Sequence, residues 1–171
     1  SIRYKLNPMK LEIKDKNIKE EIVEISVDDI QSNPWQPRTN FDKEKLQELV
    51  DSIREHGIIQ PLIVTKSAKG YELVAGERRL KSARTLGMFR VPVIVRDMND
   101  MKKLELAVIE NVQRSDLHVL EEAEAYNRLM DEFKLTQEEV AKKVGKSRST
   151  VANILRLREL PESIKKSLNN E

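Results

Sequence analysis

Residues 135–158 read LTQEEVAKKVGKSRSTVANILRLR, and their spacing predicts two short helices joined by a tight turn. Thr136 and Glu139 stand in the S/T-x-x-E order of a capping box, in which each side chain satisfies a backbone N–H that the first helical turn leaves without a partner. Val140, Ala141 and Val144 fall on one face of that helix. Gly145 follows where the chain must reverse sharply, a backbone that glycine adopts without a steric penalty. Ser147 suits the cap of the next helix, whose buried side is Val151, Ile154 and Leu155. The small Ala141 lets the two helices cross closely. This is the arrangement of a DNA-reading helix-turn-helix.

The outward residues of the second helix have the chemistry such a reader needs. Lys146, Ser147, Arg148, Ser149, Thr150, Asn153 and Arg156 all form hydrogen bonds, and none is acidic. Arginine matches a guanine edge and asparagine an adenine edge, while Lys, Ser and Thr suit phosphates. Thr136 and Gln137, at the start of the first helix, are expected on the same DNA-facing side. An ordinary helical hairpin with a solvated basic face is the plainer alternative. Cap, turn, core spacing and face chemistry all agree on DNA.

Working outward, Met101, Leu104, Val108 and Val112 mark one helix before this motif, and Leu120, Ala123, Tyr126, Met130 and Phe133 a second. A polar tail is expected after the motif. Before Asn99 the pattern changes. Residues 22–27 (IVEISV), 61–65, 71–75 and 91–95 are short β-type runs. Leu46, Leu49, Val50 and Ile53 have helical spacing between an Asp42 cap and a Gly57 stop, and 76–86 reads as a helix ended by Gly87. Pro34 and Pro37 keep 31–40 out of any helix interior. The fold class expected is α+β: a small mixed α/β domain followed by an all-α helix-turn-helix domain. The expected divisions are a flexible tail at 1–20, the α/β domain at 21–115 and the helical domain at 116–171, cut short at its C-terminal end. Met9 is a candidate natural start.

Composition narrows the function classes. There is no cysteine, which excludes disulfides, cysteine metal sites and a thiol nucleophile and agrees with a cytoplasmic location. No apolar run approaches the roughly 20 residues of a membrane span, and the charged start is unlike a signal peptide. The formal net charge is only +2, from 31 Lys+Arg against 29 Asp+Glu. A DNA-binding face therefore requires basic residues gathered on one side.

Residues 74–83, VAGERRLKSA, have a strand running into Gly76 and a helix opening with Glu77, Arg78 and Arg79. Glycine lets an anion approach the backbone, free helix N–H groups point at it, and arginines fork onto its oxygens; Lys81 and Arg84 add charge. The run is not a Walker A loop. A surface helix whose arginines pair with nearby glutamates is the competing reading. Glu110, Asn111, Gln113 and Arg114 close a helix as ENVQR, where a carboxylate beside an amide can hold Mg²⁺ that bridges phosphates. Taken alone, such a helix end is usually just solvated. Residues 57–61 (GIIQP) and 33–38 (NPWQPR) are constrained loops able to line a base pocket, or simply turns leading into strands. Trp35 suits a packed anchor. His56 and His118 stand apart, form no metal cluster and carry no assigned chemistry.

Together these segments resemble the ParB family: NPWQPR at 33–38, HGIIQPLIV at 56–64, GYELVAGERR at 70–79, VPVIVRD at 91–97, ENVQR at 110–114, EEAEAY at 121–126 and the helix-turn-helix, in the family's order. The resemblance implies a ParB/sulfiredoxin-like N-terminal domain that binds CTP or CDP with Mg²⁺. It implies a dimer that recognises double-stranded DNA at the parS palindrome and closes into a sliding, nucleoid-associated clamp, reset by slow, DNA-stimulated CTP hydrolysis. By carry-over, Gly76, Glu77, Arg78 and Arg79 hold the triphosphate. Glu110 and Asn111 hold Mg²⁺ and support hydrolysis beside Gln113 and Arg114, and Gly57, Gln60 and Pro61 recognise the cytosine. The partners implied are a second copy of the chain, joined through clamp closure and a C-terminal domain beyond Glu171, together with a ParA-type ATPase and SMC condensin.

Three departures stand out. Lys81 replaces an arginine usual two positions after GERR. Leu117–Ala123 (LHVLEEA) lacks the family's Asn-Pro. The Lys/Gly motif associated with ParA contact is not evident in residues 1–20. Two alternatives remain open: a ParB-derived nucleoid-occlusion factor or plasmid transcriptional regulator, and an enzyme on the same fold resembling sulfiredoxin, whose chemistry needs a cysteine, or a free-serine kinase.

Overall fold

A computed structural model describes residues 20–32 and 42–170 of the chain. The 33–38 loop and residues 1–19 of the expected tail lie outside the described residues.

Valine and isoleucine recur in the strands and suit a pleated surface, and both faces are buried in the central strands at residues 62–64 and 91–94. In chain order the first half contains β1 (Ile22–Ser26), a 3₁₀ turn (Val27–Asp29), β2 (Ile30–Gln31), α1 (Lys43–His56), β3 (Leu62–Ser67), β4 (Gly70–Ala75), α2 (Glu77–Thr85) and β5 (Arg90–Val95). The strands form one five-stranded sheet in the order β1-β5-β3-β4-β2. The β1/β5 and β3/β4 pairs are antiparallel, and the β3/β5 and β2/β4 pairs are parallel. Leu62, Val64, Val91 and Val93 are fully buried at its centre with Leu80 and Ala83 of α2. Burying each of the larger side chains contributes about 1.5–3 kcal/mol. Asp42 caps α1 by accepting from the Glu44 N–H at 3.0 Å, and Gly57 ends it. At the end of β5, buried Arg96 donates Nε to Glu20 Oε1 at 2.7 Å, which ties down the start of β1.

The second half is helical: α3 (Met98–Val112), α4 (Val119–Asp131), α5 (Gln137–Val144), α6 (Arg148–Arg156), a 3₁₀ turn (Leu157–Glu159) and α7 (Glu162–Asn169). Its core gathers Val108 and Val112 of α3, Tyr126 and Leu129 of α4, Val140 and Val144 of α5 and Val151 of α6. The mixed α/β and all-α classes are those the sequence predicts.

Several details differ from the sequence reading. The first strand ends at Ser26, and Val27 opens the 3₁₀ turn instead. Two-residue β2 was not anticipated. The expected polar tail is helix α7, which buries none of its residues and so leaves little apolar pattern to find. Contacts group the described residues into two units that meet between Met98 and Asn99. Val108 and Val112 pack with the helical core, so α3 groups with the helix-turn-helix.

Candidate functional site

In the α/β unit, β4 delivers Gly76 to the N-cap of α2 with φ 112°, a left-handed backbone. A Cβ built there would lie 3.0 Å from Leu62 Cγ and 3.3 Å from Arg79 Cζ, so a side chain would be strained by the backbone and would need both neighbours to give way. Gly76 brings no side chain to cap α2, and a helix N-terminus reached through glycine is a geometry suited to anions. Arg79 turns back from α2 and donates Nη1 to the carbonyls of Gln60 (2.7 Å) and Pro61 (2.6 Å). This bond brings GERR and the 57–61 loop together. Arg78 and Gln60 are exposed, Glu77 and Arg79 half-buried, and Pro61 and Gly76 buried. Arg84, expected to add charge at the anion site, donates instead to the Ile30 carbonyl at 2.9 Å and secures β2.

ENVQR lies in the helical unit, at the C-terminal end of α3. Glu110, Gln113 and Arg114 are exposed, and Asn111 is half-buried. Arg114 donates Nη1 to Asn111 Oδ1 at 3.2 Å, and forks onto Asp116 through Nε (3.2 Å) and Nη2 (2.9 Å). The hydrogen bond from Arg114 holds the Asp116 carboxyl below its ordinary range. Sequence reading missed Asp116, although an acid two residues after the motif's arginine was a visible signal. Among the described residues no three His, Cys, Asp or Glu side chains cluster as a metal cage. A carboxylate and an amide on adjacent residues fit Mg²⁺ of the kind that retains waters and takes phosphate oxygens.

The helix-turn-helix follows its sequence closely. Glu139 N–H donates to Thr136 Oγ1 at 3.1 Å and Thr136 N–H to Glu139 Oε1 at 3.2 Å, completing the capping box. Gly145 takes φ 76°, and its N–H closes α5 on the Ala141 carbonyl. Ser147 accepts the Thr150 N–H at 3.2 Å, and its Oγ also meets Ser149 Oγ (3.1 Å) and Thr150 Oγ1 (2.8 Å). Thr136, Ser147, Arg148, Ser149, Thr150, Asn153 and Arg156 are exposed, whereas Gln137 is half-buried. Arg156 donates Nη1 to Asn153 Oδ1 at 2.9 Å, linking two of the three candidate base readers.

Lys146 is exposed, and its ammonium also reaches a partner on another helix. Its Nζ pairs with Glu122 Oε1 on α4, and the same oxygen accepts the Tyr126 hydroxyl. Burial, and then the hydrogen bond to Glu122, push the Tyr126 phenol above its ordinary range. Lys143 pairs with Glu105 at 2.9 Å and Arg158 with Glu124 at 2.8 Å. These carboxylates carried no role in the sequence reading. His118, also left without one, caps α4: its Nδ1 accepts the Leu120 N–H at 3.2 Å, which puts the ring proton on Nε2, 3.0 Å from the Leu168 carbonyl. It thereby starts the helix without the family's Asn-Pro.

The family model described as the ParB N-terminal domain matches residues 12–112, and the ParB HTH domain model matches residues 115–171. The chain belongs to the ParB family. It is 51% identical over 144 residues to the chromosome-partitioning protein ParB of Myxococcus xanthus, a match spanning 84% of this chain and 49% of that protein. It is 47% identical over 155 residues to the nucleoid occlusion protein of Bacillus cereus, spanning 90% of this chain and 53% of that one. C-terminally truncated ParB from Caulobacter crescentus, crystallised with CTP-γ-S, is 46% identical with a TM-score of 0.44, covering 88% of this chain and 85% of that one. This ParB-family chain spans about half the length of the curated relatives it matches. No described helix is long and apolar enough to cross a membrane.

Proposed function

We propose that this ParB-family chain recognises parS DNA through α5–α6 and uses CTP binding and hydrolysis to switch a dimeric DNA clamp in chromosome or plasmid segregation. The observation that carries the reading is the left-handed Gly76 turn into α2, joined through Arg79 to the 60–61 carbonyls. Such a turn accepts phosphate oxygens at the α2 N-terminus, with Glu77, Arg78 and Arg79 around them. The loop at Gly57, Gln60 and Pro61 then borders the base.

Glu110 and Asn111 hold Mg²⁺ in this reading, and the ion supplies charge neutralisation for the triphosphate. Gln113 and Arg114 flank them, and Arg114 keeps the Asn111 amide oriented while it waits. On the DNA side, Arg148, Asn153 and Arg156 face base edges, and Ser147, Ser149 and Thr150 face phosphate, with Thr136 and Gln137 at the start of α5. A second copy of the chain completes the palindrome reader. A ParA-type ATPase and SMC condensin are the further partners proposed, in the cytoplasm and on the nucleoid.

The test is calorimetric titration of CTP, ATP, GTP and UTP with Mg²⁺, with and without a parS duplex, followed by phosphate release. CTP should bind more tightly than the other three and be hydrolysed faster with parS. Equal affinities, or none, would sink the reading. Nucleoid occlusion is the second reading, favoured by the 47% identity to the Bacillus cereus protein. Sequencing of co-precipitated DNA separates the two, because sites dispersed over the chromosome indicate occlusion and sites near an origin indicate partitioning.

A further inference from the structure

We propose that Glu122 is a positioning residue for DNA recognition: by holding Lys146 it fixes the turn before α6 and keeps that cation off the phosphate backbone. The inference rests on the DNA-binding reading above and deepens it.

Lys146 stands between left-handed Gly145 and Ser147, the cap of α6. It is therefore the one side chain in the turn long enough to reach another helix. Its ammonium meets Glu122 Oε1, the oxygen that also accepts the Tyr126 hydroxyl. The side chain of Glu122 is only 11% exposed and that of Lys146 39%, while Tyr126 is fully buried. The carboxylate thus lies inside the helical core and the ammonium at its rim. Losing either member of such a pair leaves an uncompensated charge behind, so it holds far better than an exposed pair. A phosphate outside would have to draw Lys146 away and strand Glu122 with one hydroxyl donor.

The pattern repeats nearby. Lys143 faces Glu105 and Arg158 faces Glu124, so acids on α3 and α4 hold cations on both sides of the recognition helix. Arg148 and Arg156, on α6 itself, are exposed, and Arg156 donates to Asn153. Lys143, Lys146 and Arg158 are thereby engaged by acids, while Arg148 and Arg156 remain the exposed cations of α6, where they can serve base recognition.

Salt dependence tests this, because each lysine that neutralises a phosphate steepens the fall of log K with log salt by about 0.9. The full chain is titrated by fluorescence anisotropy against a parS duplex and a scrambled duplex at several salt concentrations. Lys146→Met should weaken parS binding yet leave the slope unchanged, since the lysine made no phosphate contact. Glu122→Gln should release Lys146, tighten binding to the scrambled duplex and steepen the slope by about 0.9, an extra loss of roughly 3.5-fold for each fourfold rise in salt. A slope flattened by Lys146→Met, or unmoved by Glu122→Gln, overturns the inference. If Glu122→Gln fails to fold by circular dichroism, the Lys146→Met slope still decides, and the double variant, which removes both charges, should keep the wild-type slope. Failure of the wild-type chain to bind either duplex overturns the DNA-binding reading itself.

Discussion

Arg79 and Gln60 are 19 residues apart in the chain and joined by a 2.7 Å hydrogen bond from guanidinium to carbonyl. With the second bond to Pro61, one side chain fixes the distance between the phosphate-suited turn and the loop proposed for the base. Both bonds come from the one nitrogen Nη1, held in place by a planar guanidinium where lysine would put a point charge on a flexible stem.

Arg79→Ala should therefore cost more than a phosphate contact. Charge-assisted hydrogen bonds contribute about 1.5–3 kcal/mol each at most, so an unfolding midpoint lowered by a few degrees is expected with loss of CTP binding. Arg79→Lys should recover part of the stability and little of the binding. Initial parS recognition should survive in both. Thermal melts, calorimetry and DNA gel shifts on the same preparations check the three outcomes.

Gly76→Ser tests the close approach directly. A serine at φ 112° is strained, and its Cβ meets Leu62 Cγ at 3.0 Å. The cost should be about 1–3 kcal/mol, read as a lower denaturant midpoint, and nucleotide affinity should fall because the added side chain covers the α2 N-terminus. Wild-type affinity in a folded Gly76→Ser variant would rule out phosphate binding at that turn.

Arg148→Ala should relax sequence discrimination on DNA. Loss of a base-reading arginine costs about 1–3 kcal/mol at one base pair. Competition between parS duplexes substituted at single positions should show that position becoming tolerant, while nucleotide binding in the absence of DNA stays unchanged.

The carboxyl of Asp116 is held below its ordinary 3.8, chiefly by the hydrogen bond from Arg114. The folded value is depressed relative to the unfolded one, so the contact favours the folded arrangement above the ordinary carboxylate range. It is lost as pH falls through the lowered value. An NMR titration of the Asp116 side chain should give a midpoint below 3.8 that returns toward it in Arg114→Ala. An unchanged midpoint in that variant would assign the shift to another cause.

What the sequence made legible was local. The capping box at Thr136 and Glu139, the Gly145 turn and the Asp42 cap depend on residues within a few positions of one another, and each forms as expected. Strands β3, β4 and β5 were legible because apolar runs and turn residues bound them. Two-residue β2 was not, since Ile30 and Gln31 gain strand geometry only by pairing with Tyr71 and Glu72. The His118 cap was hidden because histidine is an uncommon cap and its second partner, Leu168, lies 50 residues away. Glu122 was hidden for a similar reason: an acid on a helix reads as solvated until a tertiary neighbour turns it inward. The motif residues were legible by type and spacing. That Arg79 binds backbone and Arg114 binds Asp116 required the fold.

The helical core described above has one further consequence, for genetics. Val108 and Val112, on the helix that ends in ENVQR, share a packed interior with Val140 and Val151 of the helix-turn-helix proposed to read DNA. Close-packed interiors transmit changes in volume. Selections for altered hydrolysis should then recover lesions deep in the helix-turn-helix, and selections for altered operator preference should recover lesions in α3. The two phenotypes will map to overlapping sets of alleles.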